Sequence, residues 1–189
     1  MRGNIGAAFV AALVLGMGAL ATAPLPARAQ SAYCPGAGLS PTAANAPRVA
    51  SATLCLINQV RRAYGLHTLR SNGELRKLAT SQVHDMVSWN YFADDRPPGL
   101  TPIALVSKTR YVTHATELSV GQNIGWGTGE YATAAGMVAA WIASPGHLEN
   151  IVTSEYREVG VGITPAVPAR FDPELPGATY AMEFAVRRF

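Results

Sequence analysis

Apolar side chains recur at three- and four-residue spacing in three stretches of the chain, and this spacing predicts α-helices. The helices are predicted over residues 48–64, 74–89 and 131–143. Pro145 disfavours helical geometry at the residue before it, so the third helix should end at Ser144. Ser144 is also a suitable N-cap for a further short helix, in which Pro145 is the first residue and His147 the third.

Apolar residues near the C-terminus follow the two-residue period of β-strands instead. In the predicted strand 158–164, one face carries Val159, Val161 and Ile163, and the other carries Gly160 and Gly162. Glycines inside a strand often mark the close approach of another element. A second predicted strand, 179–186, is apolar on both faces, which indicates that both sides are covered. Helices combined with such strands predict a layered α/β domain.

The segments between these elements are rich in turn residues. Residues 93–102 contain three prolines and a glycine, and residues 165–176 contain four prolines, so both are predicted to be loops. Residues 121–129 contain four glycines, and residues 100–119 receive no firm assignment. Residues 30–47 carry no charge and are predicted to form an extended arm ahead of a domain that spans residues 48–189.

The N-terminus has the layout of a signal peptide. Arg2 supplies a positive charge, residues 5–23 are uncharged and apolar, and Ala27 and Ala29 occupy the positions that signal peptidase reads. We therefore expect residues 1–29 to be a signal peptide that is cleaved after Ala29, and the protein to be secreted, extracellular or in the cell envelope. An uncleaved membrane anchor is the alternative, because nineteen apolar residues could just span a bilayer; after cleavage no stable span is expected.

The charge of the mature chain excludes one class of partner. Two of the 15 basic residues, Arg2 and Arg28, lie in the predicted signal peptide, which leaves 13 basic residues against 12 acidic ones and a net charge of about +1. No run of Lys and Arg exceeds two residues. Nucleic acid is therefore not an expected partner.

The chain has two cysteines, Cys34 and Cys55, and both lie in the mature part. Export would place them where disulfides persist, so we expect a bond between them. By the loop-entropy relation such a bond would contribute roughly 3 kcal/mol. Two free thiols are the alternative. With so few cysteines, the hydrophobic core must supply most of the stability.

Four stretches, in order, resemble the CAP superfamily (cysteine-rich secretory, antigen 5 and pathogenesis-related class 1 proteins) in its bacterial SCP-domain form. The most specific of them is the run Trp-x-x-Ser-Pro-Gly-His-x-x-Asn-Ile that begins at Trp141. The other three are Cys-Leu-Ile-Asn-Gln-Val-Arg from Cys55, the segment from Leu75 to Phe92, and Tyr-Arg-Glu-Val-Gly-Val-Gly from Tyr156. The resemblance implies a single domain, a three-layer α-β-α sandwich of the α+β type with a mostly antiparallel central sheet.

The resemblance also implies a cleft that in many members holds two histidines and two acidic residues. His147 matches one histidine, whereas Asp94 stands where the second is expected. The family's Gly-Glu-Asn-Ile is Gly-Gln-Asn-Ile here, so Gln122 replaces an acid beside Asn123, and the second acid has no counterpart. An amide is a poor zinc ligand and cannot serve as a general base. We therefore expect neither a metal nor another cofactor, and take His147, Gln122, Asp94 and Asn123 as candidate cleft residues.

Three functions are compatible with these residues. The first is a non-enzymatic extracellular binding module for a lipid, an apolar small ligand or a protein partner. The second is a structural secreted or cell-wall-associated domain. The third is a weak hydrolase that uses His147 with Asp94, which the altered cleft disfavours. For His147, a purely architectural hydrogen bond is as reasonable as a ligand contact.

Overall fold

The structure, a computed structural model, describes residues 33–171 and 173–189. Its five α-helices within these ranges are α1 (Ala46–Ala63), α2 (Gly73–Ser88), α3 (Pro102–Val106), α4 (Ala134–Ala143) and α5 (Pro145–Val152). The strands are β1 (Arg70–Ser71), β2 (Glu117–Thr128), β3 (Glu158–Thr164) and β4 (Gly177–Arg188). Short 3₁₀ helices lie at Arg110–Val112, Gly129–Ala132 and Ala169–Phe171. The predicted signal peptide and residues 30–32 of the predicted arm lie outside the described residues.

The four strands form one mixed sheet in the order β1-β3-β4-β2. β4 is antiparallel to both of its neighbours, β3 and β2, while the two-residue β1 runs parallel to β3. The mostly antiparallel sheet is therefore confirmed, with one short parallel pairing. Because β2 and β4 pair over twelve residues, Gln122 lies directly opposite Glu183.

Helices cover both faces of this sheet. α2 packs on one face, where the backbones of Leu75 and Ala79 lie so close to Gly160 and Gly162 that an added Cβ would collide with them. The other face packs against α1 and α4 through a core that includes Val161 and the β4 side chains. The predicted α-β-α sandwich is confirmed, and the two glycines of β3 have the role that the sequence indicates.

Three segments differ from the sequence-based prediction. The single helix predicted over 131–143 is wrong in its first turn, because Gly129–Ala132 is 3₁₀ and Thr133 begins a new helix by accepting a bond from the Gly136 amide. The glycine-rich 121–129 segment is mostly strand and belongs to β2. Of the predicted extended arm, residues 34–38 form turns, and α1 already includes Ala46 and Pro47, since proline is tolerated in a first helical turn.

Cys34 and Cys55 form the predicted disulfide, with their Cα atoms 5.7 Å apart. The bond ties the segment before α1 to the middle of that helix, and Cys34 is fully buried. Across the described residues, no helix is both long and apolar enough to cross a membrane.

Candidate functional site

The corner between α4 and α5 closes the outer edge of β2. The Trp141 indole Nε1 donates to the Ile124 carbonyl at 3.1 Å, and the Asn150 amide donates to the Gln122 carbonyl at 2.9 Å. Both carbonyls belong to an edge strand and would otherwise lack a partner in a buried setting. Trp141 and Asn150, two residues of the motif that runs from Trp141 to Ile151, therefore cover this edge of the sheet.

Asn123 connects this corner to the start of α5. Its side chain is fully buried, and its Nδ2 donates to the backbone carbonyl of His147 at 3.0 Å. Its Oδ1 accepts a bond from the Asn150 amide at 2.9 Å. Asn123 therefore fixes the backbone that carries His147. Because successive strand residues point to opposite faces, the side chains of Asn123 and Gln122 lie on opposite sides of the sheet.

Gln122 is paired with an acid that the sequence analysis missed. Its Nε2 donates to Oε1 of Glu183, on the neighbouring strand, at 2.6 Å. Glu183 is fully buried, and its Oε2 has no hydrogen-bond partner. Burial raises the pKa of Glu183 to about 7; the bond from Gln122 and the positive charge of Arg96 oppose the rise, and the charge of Asp94 adds to it. The sequence did contain a signal for this residue. Glu183 shares a strand face with Ala181 and Ala185, and that face was predicted to be covered, so a buried acid could have been expected there.

His147 and Asp94 belong to separate segments and lie near each other, since the charge of His147 acts on the Asp94 carboxyl. The imidazole lies beside Trp141, with ring centroids 6.4 Å apart, and its Nδ1 is buried without a hydrogen-bond partner. Asp94 lies in the loop after α2, and its backbone carbonyl accepts a bond from Gln82 Nε2 at 3.3 Å. The pKa of the Asp94 carboxyl is raised because the surrounding chain displaces water, while the nearby His147 opposes the rise.

Arg96 supplies the positive charge of the cleft. Its Nε contacts the Asp85 carboxylate at 3.1 Å and the Gln82 side-chain oxygen at 3.2 Å, both on α2. Its Nη2 is buried without a partner, as are Gln122 Oε1, Glu183 Oε2 and His147 Nδ1. Buried polar atoms of this kind are normally satisfied by water or by a ligand. The cleft therefore combines donors and acceptors that the described residues leave unpaired.

Comparison with known proteins identifies the family. The profile of the Cysteine-rich secretory protein family, CAP, matches residues 54–170. The chain belongs to the CAP family. The uncharacterized protein YkwD of Bacillus subtilis (strain 168) is 32% identical over 107 residues, which cover 57% of this CAP chain and 39% of that relative. The chain therefore matches less than half the length of this curated relative.

Solved structures share the CAP fold at low sequence identity. An outer surface protein from Borrelia burgdorferi has a TM-score of 0.57 at 16% identity, covering 71% of this chain and 90% of that one. An extracellular SCP-domain protein from Bacillus anthracis has a TM-score of 0.55 at 19% identity, covering 78% and 44%. A cysteine-rich secretory protein from Staphylococcus aureus has a TM-score of 0.54 at 20% identity, covering 76% and 40%.

The cleft of this CAP domain does not have the side chains of a metal centre. In the part of the chain that the structure describes, no three His, Cys, Asp or Glu side chains group closely enough to hold a metal ion. Gln122 offers an amide where a carboxylate would bind better, and one of the two oxygens of Glu183 already accepts the bond from that amide. The residues present therefore suit hydrogen-bonded water or a polar ligand rather than a metal ion.

A groove lies at the other edge of the sheet in this CAP domain. Its volume is about 740 Å³, and it lies between the N-terminal half of α1 and α2, with β3 at its base. The lining is mostly apolar or small, and its ionisable side chains among the described residues are Arg76 and His84. The other lining residues are Ala43, Ala46, Pro47, Ala50, Ser51, Leu54, Ser71, Thr80, Val161, Ile163 and Pro165.

Proposed function

We propose that this CAP-domain protein is a secreted, non-enzymatic binding module that holds an apolar ligand in the groove between α1, α2 and β3. The groove itself is the observation that carries the proposal. Its volume of about 740 Å³ falls within the roughly 300–1,000 Å³ that is usual for small-ligand sites. Secretion is supported by the disulfide and by the extracellular or outer-surface descriptions of two structural relatives.

The chemistry of the lining favours an apolar ligand over a polar one. Ala46, Ala50 and Leu54 present three successive positions of one α1 face, and Val161 and Ile163 form the base. Such side chains contribute through the removal of apolar surface from water, about 25 cal/mol per Å². The cleft, in contrast, offers mainly polar atoms that are already enclosed. The groove is therefore the better candidate for a lipid or an apolar small ligand.

Ligand recovery tests the proposal directly. The mature protein is purified from its native secretion, and whatever copurifies is identified by mass spectrometry; the stripped protein is then titrated with a panel of fatty acids and phospholipids. We expect a recovered apolar ligand and saturable binding of at least one panel member. A clean protein that binds nothing in the panel would favour a structural role instead.

Two tryptophan variants locate the binding. Ser51 is exposed on α1 and lines the groove, so Ser51→Trp fills part of the cavity and should weaken binding at least tenfold. Ser107 is exposed at the end of α3 and does not line the groove, so Ser107→Trp should bind as the wild type does. Equal loss in both variants would show that binding occurs elsewhere.

A further inference from the structure

The base of the groove is an unpaired strand edge. The carbonyls of Arg157 and Val159 accept bonds from the Arg70 and Asn72 amides, so these carbonyls point away from β4. The backbone N–H and C=O groups of a strand point alternately to its two sides, with a period of two residues. Those of Val161 and Ile163 therefore also point away from β4. β1 ends at Ser71, and within the described residues nothing pairs with β3 beyond Val159 on this side.

The pairing of β1 with β3 ends after two residues because the chain turns away from the sheet to form α2. Asn72 caps α2 by accepting bonds from the Glu74 and Leu75 amides, and this turn carries the chain away from the sheet. Pro165, which has no N–H, terminates the free stretch at its other end. Among the described residues, the backbone N–H and C=O groups of Val161 and Ile163 therefore have no strand partner on this side, and both residues line the groove.

This edge is recessed rather than open. Val161 is 6% exposed and Ile163 is 7% exposed, because α1 and α2 rise on either side of β3. At this depth we expect a single extended segment, rather than the edge of a second folded sheet, to reach β3. Ala46, Ala50 and Ser51 are small, which leaves room for a backbone to approach. An apolar ligand can fill the volume, and one with a peptide backbone can in addition supply acceptors to these amides.

We propose that the groove binds an extended peptide segment of a partner protein, which adds to the sheet as a strand beside β3. This inference rests on the proposed function, since it uses the same groove, and it specifies the occupant. Backbone bonds to Val161 and Ile163 supply the alignment, as in other cases of strand addition. Side chains of the peptide alternate between the small residues of α1 and Thr80 on α2.

The charge of the lining selects the peptide further. Arg76 and His84 lie on α2, and the described lining contains no acidic side chain. An acidic residue at one end of the bound segment would complement Arg76, whereas a basic one would be repelled. The preferred partner segment is therefore apolar and small at alternate positions, extended, and acidic at one end.

Amide hydrogen exchange, followed by NMR on the full mature domain, tests the proposal. The probe is an acetylated, amidated octapeptide of alternating alanine and valine that ends in two glutamates. At saturation the Val161 and Ile163 amides should exchange at least tenfold more slowly. Ser51→Trp should weaken binding of the octapeptide at least tenfold, and Ser107→Trp should leave it unchanged.

Two N-methylated versions of the octapeptide are the matched controls. Methylation at alternate residues on one edge removes the donors that face β3 and should reduce affinity at least tenfold; methylation on the other edge should have little effect. Equal affinity for both versions would overturn strand addition. If sodium dodecanoate binds but the octapeptide does not, the inference fails while the proposed function survives; if neither binds, both fail.

Discussion

Replacing the buried acid of the cleft should change how stability depends on pH. Glu183 lies on the central strand β4 with no exposed surface, and burial raises its pKa to about 7 from an ordinary value of 4.5. The native state therefore holds this proton more tightly than the unfolded chain does. Its contribution to stability is complete below about pH 4.5 and is lost as the pH rises through 7.

The size of the effect follows from the shift. A difference of about 2.5 pH units, at about 1.4 kcal/mol per unit, corresponds to about 3 kcal/mol between pH 4.5 and pH 8. Glu183→Gln keeps the shape and can still accept the bond from Gln122, but it cannot ionise. The variant should match the wild type at pH 4.5 and exceed it in stability by about 3 kcal/mol at pH 8.

Urea unfolding of both proteins across pH 4.5–8.5 measures this difference, and subtraction removes the titration of every other group. Glu117→Gln is the matched control, because Glu117 pairs with Arg188 on the surface with its side chain 65% exposed. That control should change the free energy of unfolding by less than about 1 kcal/mol at any pH. The reasoning would be refuted if the difference in free energy of unfolding between Glu183→Gln and the wild type did not change with pH, or if it shifted in favour of the wild type as the pH rises.

Three further substitutions test the architecture by urea unfolding. Gly162→Ala should destabilise the fold by about 3 kcal/mol, because the new Cβ collides with the Ala79 backbone; an unchanged midpoint would contradict such close packing. Asn150→Ala should cost about 3 kcal/mol by leaving two acceptors on β2 without donors, and a loss below about 1 kcal/mol would show that water replaces them. The double change of Cys34 and Cys55 to serine should cost about 3 kcal/mol, and a double variant as stable as the oxidised wild type would argue against this.

The layered fold was predictable because its signals are local. The two glycines of β3 alternate with large apolar residues, and this pattern indicated the close approach of another element, which the structure shows to be α2. The break between the Gly129–Ala132 turn and α4 was not predicted, because alanine-rich sequence continues the helical pattern through it. Only the capping bond at Thr133 reveals where the helix begins.

The cleft was harder to predict because its pairing is not local. Gln122 was identified through the resemblance of Gly-Gln-Asn-Ile to the family motif. Its partner Glu183 is 61 residues away and is brought opposite only by the register of β2 and β4. His147 was placed correctly as the third residue of α5, yet its backbone rather than its ring makes the bond to Asn123. Periodicity predicts which face a residue occupies, but it does not predict the residue across from it.

The cross-strand pair of Gln122 and Glu183 shows that an acid can lie beside a motif in the folded protein although it is far from that motif in the sequence. The Gly-Gln-Asn-Ile motif on β2 carries an amide at position 122, and the acid lies on β4, one hydrogen bond away. A cleft can therefore contain an acid although the recognisable motif has lost its own. Surveys that score such sites by aligned columns would count this protein as lacking an acid that its folded structure retains.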